Sequence, residues 1–178
     1  MSNGSVTMRG TTLSEFIFTT GITFITGVPD SAFRELIAEL ELFELNRRYV
    51  PATREDNAIA LAVGAYLAGE MPLVFMESSG IGNAIDALTS LATVYGIPLV
   101  LFIAWAGYKG RDIPHHNVIG EPLQFIFESL SIPTFTVHLG GALEAIASAV
   151  QEAISSACKA KRPAVVLAIP EELSDEKR

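Results

Sequence analysis

The chain has 178 residues, of which 49% are hydrophobic and 18% are charged, so we expect a folded protein with a substantial core rather than a disordered one. Its formal net charge of −8 argues against nucleic acid as a partner, because nucleic-acid-binding proteins favour a basic face. The single cysteine, Cys158, the polar first residues and apolar runs too short to span a bilayer predict a cytoplasmic protein with no disulfide and no membrane segment.

Predicted helices and strands alternate along the chain. Apolar residues at helical spacing, flanked by capping residues or glycine, predict helices, and short apolar runs predict strands. The predicted helices cover residues 12–21, 30–43, 54–68, 80–96, 123–130 and 141–160, and the predicted strands cover residues 23–28, 47–52, 72–78, 97–105, 133–137 and 163–169. Residues 106–122 are rich in Gly, Pro and His and are predicted to form one long loop.

This alternation predicts an α/β fold with three layers, in which a doubly wound, six-stranded, mainly parallel sheet carries helices on both faces. No repeat or low-complexity linker divides the sequence, so we expect one domain over residues 1–178. In open sheets of this class, ligands bind beyond the carboxyl ends of the strands. The segments expected there are GVPDS at 27–31, PATRED at 51–56, ESSGIGN at 77–83 and the long loop, and together they form the predicted site.

Glu55 stands at the entrance of a helix whose residues from Ala58 to Ala68 are almost all apolar or small, a pattern that predicts a helix buried on every side. One interpretation is structural: Thr53 is the N-cap, Asp56 completes a capping box, and acids in the first turn favour the helix dipole. The other is functional, because Asp56 already fills the capping role and a carboxylate at a buried helix mouth needs a partner. A ligand nitrogen would be such a partner.

SSGIGN, residues 78–83, follows a predicted strand and opens a predicted helix. Its small residues would let backbone N–H groups approach a ligand, although the segment lacks the lysine of a phosphate-binding loop. A tight strand-to-helix turn, with Asn83 capping backbone groups, explains the same pattern. In GVPDS, Asp30 and Ser31 are either helix caps or a polar pair that faces a substrate.

His115 and His116 are adjacent in the predicted loop, after Pro114 and near Asp112. Two histidines in the longest loop of the predicted site favour acid–base chemistry, and two uninvolved surface histidines are the alternative. A metal site is not expected in this chain, because neither its cysteine content nor the spacing of its carboxylates supports one. His138 has no such context and is expected only to end a strand.

Together these segments resemble one family. GVPDS, TREDNAIALAVGAYLAG, ESSGIGNAIDALTSLATVYGIPLVLFIAWAG and the following PHH are similar to the pyrimidine-binding domain of thiamine-diphosphate-dependent 2-oxo acid decarboxylases. The pattern is most like phosphonopyruvate decarboxylase and the alpha subunit of sulfopyruvate decarboxylase, over roughly residues 10–170. Its most specific stretch is SSGIGNAIDALTSLATVYGIP, which is typical of this branch.

The resemblance implies an enzyme subunit that uses thiamine diphosphate to release CO2 from a small 2-oxo acid and give an aldehyde, with the thiazolium as electron sink. It implies that Glu55 hydrogen-bonds N1′ of the aminopyrimidine of the cofactor, a bond that a nearly dry site strengthens. It places Asp30 on the substrate side. The residues implied for the pyrimidine pocket are Gly80, Gly82 and Asn83, and those implied for proton transfer near the substrate are His115 and His116.

Two departures from the family shape the expected assembly and substrate. Full-length relatives carry a second domain, with Gly-Asp-Gly and a downstream Asn, that holds Mg²⁺ and the diphosphate, whereas this sequence contains no Asp-Gly dipeptide. We therefore expect a beta chain to supply that domain and its Mg²⁺, in a hetero-oligomer that contains alpha–alpha or alpha–beta dimers. Close relatives also have Arg-Gly where this chain has Ala106-Gly107. Either another cation binds the tail of the substrate, with Lys109, Arg111 and Arg54 as the candidates, or the substrate carries a different tail.

Two other functions stay open on the sequence. A non-catalytic small-molecule-binding or regulatory domain would share this fold, and a thiamine-diphosphate enzyme would serve equally for carboligation or acyl transfer. Glu55→Gln separates the first of these from an enzyme, because it abolishes turnover in an enzyme and leaves ligand binding nearly intact in a binding domain. Product analysis with and without an added aldehyde separates the second.

Overall fold

The computed structural model describes residues 12–42 and 48–170, and a six-stranded sheet forms its centre. The strands in chain order are Phe24–Gly27 (β1), Tyr49–Pro51 (β2), Pro72–Glu77 (β3), Val100–Ala104 (β4), Thr134–His138 (β5) and Ala164–Ile169 (β6). They lie in the order β2-β1-β3-β4-β6-β5, and every neighbouring pair is parallel. The predicted α/β fold with a six-stranded parallel sheet is confirmed.

Helices cover both faces of this sheet. Their bounds are Leu13–Thr19 (α1), Arg34–Leu42 (α2), Glu55–Leu67 (α3), Ile81–Asp86 (α4), Pro114–Gly120 (α5), Leu123–Ser129 (α6) and Leu143–Ala160 (α7). Apolar residues of α3, α4 and α6 pack on one face, and those of α1, α2 and α7 pack on the other. The predicted three-layer arrangement is therefore confirmed.

The central strands are buried on both faces, which explains why their sequences are continuous apolar runs rather than alternating ones. Every residue of β4 and β6 is buried, and β3 is buried up to its last residue, Glu77. Alternate residues of these strands enter the two separate apolar clusters, as Leu101 and Phe102 do in β4. The sheet is thus a rigid base for the segments that leave its carboxyl edge.

The segment 106–122 differs from its prediction as one long loop. It contains a short 3₁₀ turn, Tyr108–Gly110, and the helix α5. Pro114 is the first residue of α5 and Ile113 before it is extended, the geometry that proline favours at a helix start. Both predicted histidines are therefore on a helix, and the glycines and proline that suggested a loop mark its ends.

The helix predicted over residues 80–96 is present but is not uniform. It begins with a 3₁₀ turn, Ser78–Gly80, continues as α4 and then widens into the π-helical segment Ala87–Thr93. The backbone N–H of Val94 donates to the carbonyl oxygen of Thr89 at 3.2 Å, the five-residue spacing that is typical of π-helix. The Thr93 hydroxyl also donates to the carbonyl oxygen of Leu88 at 2.8 Å.

Helix α3 is buried on one side only, so the prediction of burial on every side is wrong for this chain alone. Ala58, Ile59, Ala62 and Val63 are buried in the apolar cluster. The opposite side is exposed although it carries no charge, and it consists of Asn57, Ala60, Leu61, Gly64, Leu67 and Ala68. Within this chain, packing against the sheet occupies only half of the apolar surface of the helix.

Several smaller predictions are confirmed and a few fall outside the description. His138 ends β5, and Cys158 is a free, exposed cysteine on α7. The predicted ends of the second helix and second strand, Phe43 and Arg47, and the acidic tail from residue 171 lie outside the described residues. Within residues 12–42 and 48–170, every helix is too short or too polar to cross a membrane.

Candidate active site

The four segments predicted to form the site leave four adjacent strands at the same edge of the sheet. β2, β1, β3 and β4 are neighbours and run in parallel, so their carboxyl ends lie together. After β1 the chain leads to α2 on one face, and after β3 it leads to α4 on the other. Such a divergence opens a crevice between the two strand ends, where ligands of doubly wound proteins bind.

Glu55 is the first residue of α3, and its neighbours do not cap the helix as predicted. The N-cap is Arg54 rather than Thr53, and no side chain caps the helix through a hydrogen bond. The guanidinium of Arg54 instead donates twice to Asp56, at 3.1 and 3.2 Å. This bidentate pair competes for the Asp56 carboxylate, so the predicted capping box is wrong.

The side chain of Glu55 lies against the turn that follows β3. Its Oε2 accepts a hydrogen bond from Nδ2 of Asn83 at 2.9 Å. A Cβ atom built on Gly80 would lie 2.5 Å from Oε1 and 2.6 Å from Cγ of Glu55, a separation that real Cβ atoms do not reach. Only glycine at position 80 leaves room for this carboxylate, so three of the predicted pocket residues meet in space although 28 positions separate Glu55 from Asn83.

Gly82 takes no part in this contact. It is exposed, and nothing lies within 4 Å of the position that its Cβ would take. Its predicted place in the pyrimidine pocket stays a prediction. The structure thus separates the two glycines of GIGN: the first fits against Glu55 and the second faces open space.

A second carboxylate, Glu77, lies at the end of β3 and was not predicted as a site residue. The Ser78 hydroxyl lies 2.7 Å from its Oε1, the N–H of Ser79 donates to Oε1 at 3.1 Å, and the Ser79 hydroxyl donates to Oε2. Burial acts to raise the pKa of Glu77, but the Ser79 and Ser78 hydroxyls outweigh it and hold the pKa below its ordinary value. The sequence feature that could have identified Glu77 is an acidic residue at the end of an otherwise apolar strand, at the edge of the sheet where ligands were predicted to bind.

His116 lies between Glu77 and a third carboxylate, Asp112. Its Nε2 is 3.9 Å from Oε2 of Glu77, and its Nδ1 is 3.0 Å from Oδ2 of Asp112. The second contact is close enough for an ion pair but lacks the alignment of a hydrogen bond. The ring of His115, which is more exposed, meets that of His116 edge-on with centroids 4.4 Å apart.

Asp112 is itself fixed by the backbone. It accepts hydrogen bonds from the N–H of Gly107 at 3.0 Å and the N–H of Ile113 at 2.7 Å. Burial acts to raise the pKa of Asp112, but these two bonds and the adjacent His116 hold it below its ordinary value. Gly107 has a φ of 75°, and a Cβ there would collide with the carbonyl oxygen of His116, so glycine is required for this loop to lie against α5.

The residues predicted to bind substrate lie around this edge of the sheet. The Asp30 carboxylate accepts a hydrogen bond from the N–H of Ala32 at 2.8 Å, which confirms its predicted capping role, and Ser31 is exposed. Lys109 is exposed and places its ammonium 5.0 Å from the centre of the Tyr108 ring. Arg111 is also exposed. Their roles in binding stay predictions.

Ala106, which stands where an arginine was expected from the family, is 7% exposed. Its carbonyl oxygen lies 3.2 Å from the Ser78 hydroxyl and packs on Gly120. In the part of the chain that the structure describes, no group of three or more His, Cys, Asp and Glu side chains is arranged to hold a metal ion.

Comparison with known proteins agrees with the fold and the site. Residues 9–126, more than half of the chain, match the family described as the thiamine pyrophosphate enzyme, N-terminal TPP binding domain. Over 114 residues the chain is 36% identical to a protein named sulfopyruvate decarboxylase subunit alpha from Methanocaldococcus jannaschii, which covers 64% of this chain and 67% of that relative. Over 102 residues it is 37% identical to phosphonopyruvate decarboxylase from Streptomyces viridochromogenes, which covers 57% of this chain and 25% of that relative.

Solved structures show the same fold in larger chains. Benzoylformate decarboxylase from Polynucleobacter necessarius superposes with a TM-score of 0.63 at 19% identity over 90% of this chain. A 4-hydroxybenzoylformate decarboxylase from Rhodococcus jostii RHA1 superposes with a TM-score of 0.60 at 24% identity over 89% of this chain. This chain spans only 30% of either solved chain.

The resemblance read from the sequence is therefore confirmed. The relatives support an enzyme subunit of the alpha type in the thiamine-diphosphate-dependent decarboxylases, as predicted. By its match over residues 9–126 and its six-stranded parallel sheet, the chain belongs to the thiamine pyrophosphate enzymes as an N-terminal TPP binding domain.

Proposed function

We propose that this chain is the pyrimidine-binding alpha subunit, a single domain, of a decarboxylase that converts a small 2-oxo acid such as sulfopyruvate or phosphonopyruvate into an aldehyde and CO2. The observation that carries the proposal is the contact of Glu55 with Gly80 and Asn83. It joins the entrance of α3 to the turn after β3, across the crevice where ligands of this fold bind.

The residues of this site fit the pyrimidine half of thiamine diphosphate. The cradle over Gly80, which a Cβ would fill, holds a carboxylate in one place. Asn83 orients Oε2 of that carboxylate from one side, and Glu55 is then able to accept a hydrogen bond from a ring N–H of the cofactor. When bound, the thiamine group supplies the electron sink that makes loss of CO2 feasible.

His116 and His115 are the proposed acid–base pair of this chain. His116 is the better held of the two, since Asp112 and Glu77 lie on its two nitrogens. Histidine is the side chain that most often transfers protons in general acid–base catalysis. The role in this chain is to deliver the proton that replaces CO2 on the carbon of the aldehyde product.

The sulfonate or phosphonate tail of the substrate is proposed to form an ion pair with a lysine or arginine of the segment after β4. Position 106 offers only a buried alanine, so the cation expected there is absent from that position. Lys109 and Arg111 follow within five residues and are exposed at the same edge of the sheet, and a sulfonate or phosphonate would pair with either. Asp30 and Ser31, on the other side of the crevice, are proposed to face the polar end of the substrate.

A partner chain is proposed to cover the exposed, uncharged side of α3. Leu61 is 38% exposed and Leu67 is 72% exposed on that helix, and Val94 and Tyr95, at the end of the π-helical segment, are 73% and 72% exposed. Large apolar side chains of this exposure indicate an interaction surface. Exposure on that side begins at Asn57, two residues after Glu55, and a beta chain seated there is proposed to bring Mg²⁺ and a diphosphate site to the cofactor pocket, in a cytoplasmic hetero-oligomer.

The test is CO2 release by this chain purified together with its native partner, in the presence of thiamine diphosphate and Mg²⁺. Sulfopyruvate, phosphonopyruvate and pyruvate are offered separately. Glu55→Gln is the site variant and Glu152→Gln, an exposed acid on α7 on the other face of the sheet, is its matched control.

We expect release from one of the three acids, reduced at least about a hundredfold in Glu55→Gln and unchanged in Glu152→Gln. Equal rates in the two variants would remove Glu55 from catalysis. Absence of release from all three acids, with partner and cofactor bound, would reject this substrate class, and ligand binding without any turnover would favour a binding domain. Aldehyde addition products in place of a free aldehyde would indicate carboligation.

A further inference from the structure

The two carboxylates beside His116 bear directly on its proposed acid–base role. His116 has one carboxylate at each ring nitrogen, and the two come from different elements: Asp112 from the segment after β4 and Glu77 from the last residue of β3. The three side chains are 24%, 29% and 17% exposed for His116, Asp112 and Glu77. The group is therefore largely shielded from water, where charges act more strongly on one another.

Both carboxylates are held ionised by donors other than the histidine. Asp112 has two backbone N–H groups, and Glu77 has the Ser78 and Ser79 hydroxyls and one backbone N–H. The pKa of each carboxyl is lowered despite burial. Two fixed negative charges thus face one imidazole ring from opposite sides.

The other charged or titratable groups on or beside the elements packed against α5 include His115, Lys109, Arg111 and Glu55. His115 meets the ring of His116 with its edge, and the ammonium of Lys109 lies over the ring of Tyr108. Arg111 lies one residue before Asp112 and is exposed. Glu55 lies over Gly80, at the end of the 3₁₀ turn that contacts α5.

The distances of Asp112 and Glu77 from the two ring nitrogens of His116 differ, so the two carboxylates act on the ring differently. Asp112, at 3.0 Å from Nδ1, is close enough to fix the orientation of the ring. Glu77, at 3.9 Å from Nε2, is too far for a direct hydrogen bond but near enough to attract a hydrogen on that nitrogen. A ring nitrogen without a hydrogen would present its lone pair to the carboxylate that it faces, which is unfavourable. The two carboxylates together therefore favour a hydrogen on both Nδ1 and Nε2. The Nε2–H has no short hydrogen bond to Glu77 and can be passed on.

We propose that Glu77 and Asp112 are positioning residues that hold His116 with an Nε2–H facing the carboxyl end of β3. The proposal rests on the proposed function for its catalytic part. In each turnover the C–C bond to the carboxylate breaks, CO2 leaves, and the proton on Nε2 forms the new C–H bond of the aldehyde. The ring then takes a proton from solvent, so one proton is consumed for each 2-oxo acid anion.

The first test uses the full-length chain alone, with ¹⁵N-labelled histidine, and follows the ring signals by NMR as the pH is changed. The chain has three histidines, and His116→Gln assigns the signals of His116. In Glu77→Gln we expect the Nε2 signal of His116, compared at one fixed pH, to move towards that of a ring nitrogen without a hydrogen, and the His138 signals to stay as in the parent. Glu152→Gln is the matched control. A change in Glu77→Gln no larger than in Glu152→Gln would overturn the proposal.

A second measurement needs no change at Glu77 and covers the case in which that variant does not fold. In the parent chain with ¹³C-labelled glutamate, one carboxyl carbon is expected to shift at the same pH as the His116 ring. That response should disappear in His116→Gln. If no glutamate carbon follows the ring, Glu77 and His116 are not coupled and the proposal fails.

The catalytic part is tested in the assembled enzyme. We expect Glu77→Gln to lower kcat about tenfold with a smaller change in KM. On the alkaline side, the range of pH over which kcat is constant should become narrower. Glu77→Asp, which keeps a carboxylate, should retain part of the lost kcat. Normal kcat in Glu77→Gln, beside an inactive Glu55→Gln, would overturn the positioning role and leave the proposed function standing. An inactive parent would instead reject the proposed function, and the NMR measurements would still decide whether Glu77 controls His116.

Discussion

The two glutamates at the carboxyl edge of the sheet are held in opposite ways. Glu55 begins a helix, lies over a glycine that leaves it space, and is oriented by the amide of Asn83. Glu77 ends a strand and is surrounded by donors from the next two residues along the chain, Ser78 and Ser79. One carboxylate depends on contacts 25 or more positions away, and the other depends on its own neighbours.

This difference separates a group that faces a ligand from one that serves another side chain. A carboxylate with most of its acceptor sites filled by local donors has little left to offer a ligand, but it keeps its charge and acts on a neighbour through space. A carboxylate held chiefly by shape keeps acceptor sites for a ligand. Substitutions that fill the space beside Glu55 should therefore lower the activity of the enzyme. Substitutions that disturb the backbone near Glu77 should instead lower the stability of the fold.

The largest expected effect is on the Glu77 side, at Gly107. Gly107→Ala places a Cβ against the backbone of α5, at a φ of 75°, and backbone atoms cannot move aside cheaply. We expect the free energy of unfolding to fall by about 3 kcal/mol, and Tm to fall by about 6–12 °C. Thermal unfolding followed by circular dichroism measures it.

Gly110→Ala is the control for that variant. Its φ is 68°, but nothing lies within 4 Å of the new Cβ. It should therefore lose only the conformational part, about 1 kcal/mol. Equal losses in the two variants would mean that the close approach of this loop to α5 contributes nothing.

On the Glu55 side, Gly80→Ala should separate activity from stability. The new Cβ meets only the side chain of Glu55, which can rotate away, so the free energy of unfolding should change by less than about 1 kcal/mol. The carboxylate loses its place, and turnover of the assembled enzyme should fall tenfold or more, a change of about 1.4 kcal/mol in the barrier. CO2 release and thermal unfolding are measured on the same preparation.

Gly82→Ala is the matched comparison for Gly80→Ala, and its expected effect is on the free energy of unfolding. It lies on α4 in open space, so an alanine there should raise the free energy of unfolding by about 0.5–1 kcal/mol through helix preference. Gly80→Ala with full activity, or with a loss of stability as large as that of Gly107→Ala, would show that shape does not hold Glu55.

The smallest expected effect is the pH dependence that Glu77 gives to stability. Its pKa is lowered in the folded chain, so its contribution is complete above the unfolded pKa and is lost as pH falls through the folded pKa. The difference in Tm between the parent and Glu77→Gln should therefore be a few degrees at about pH 6 and should shrink towards about pH 3. A difference that is constant over this range would contradict the lowered pKa.

The sheet and most of the site could be predicted because their sequence signals are local. Continuous apolar runs predicted the buried parallel strands. The parallel order places their carboxyl ends at one edge, so the segments that carry Glu55 and Asn83 were expected to converge there. The resemblance added a role for Glu55 that its position alone did not decide. The contact itself agrees with that role and does not depend on it.

Other features could not be predicted because they depend on competition in three dimensions. The pairing of Arg54 with Asp56 removed the expected helix cap. The helix α5 was not predicted, because glycine and proline occur at helix ends as well as in loops. Glu77 was not predicted as a site residue, because an acid after five buried residues is common at the end of a strand. Only its contacts with Ser78, Ser79 and His116 in the fold distinguish it.

The uncharged side of α3 has a consequence in terms of mass action. It lies opposite the buried face of the helix, so a partner that covers it removes apolar surface from water, and in the proposed assembly the same binding step completes the pocket. Heat resistance and the number of working sites would then follow a single dissociation constant, and both would fall together on dilution below it. The amounts of the partner and of this chain in the cell would then together set how much enzyme is present.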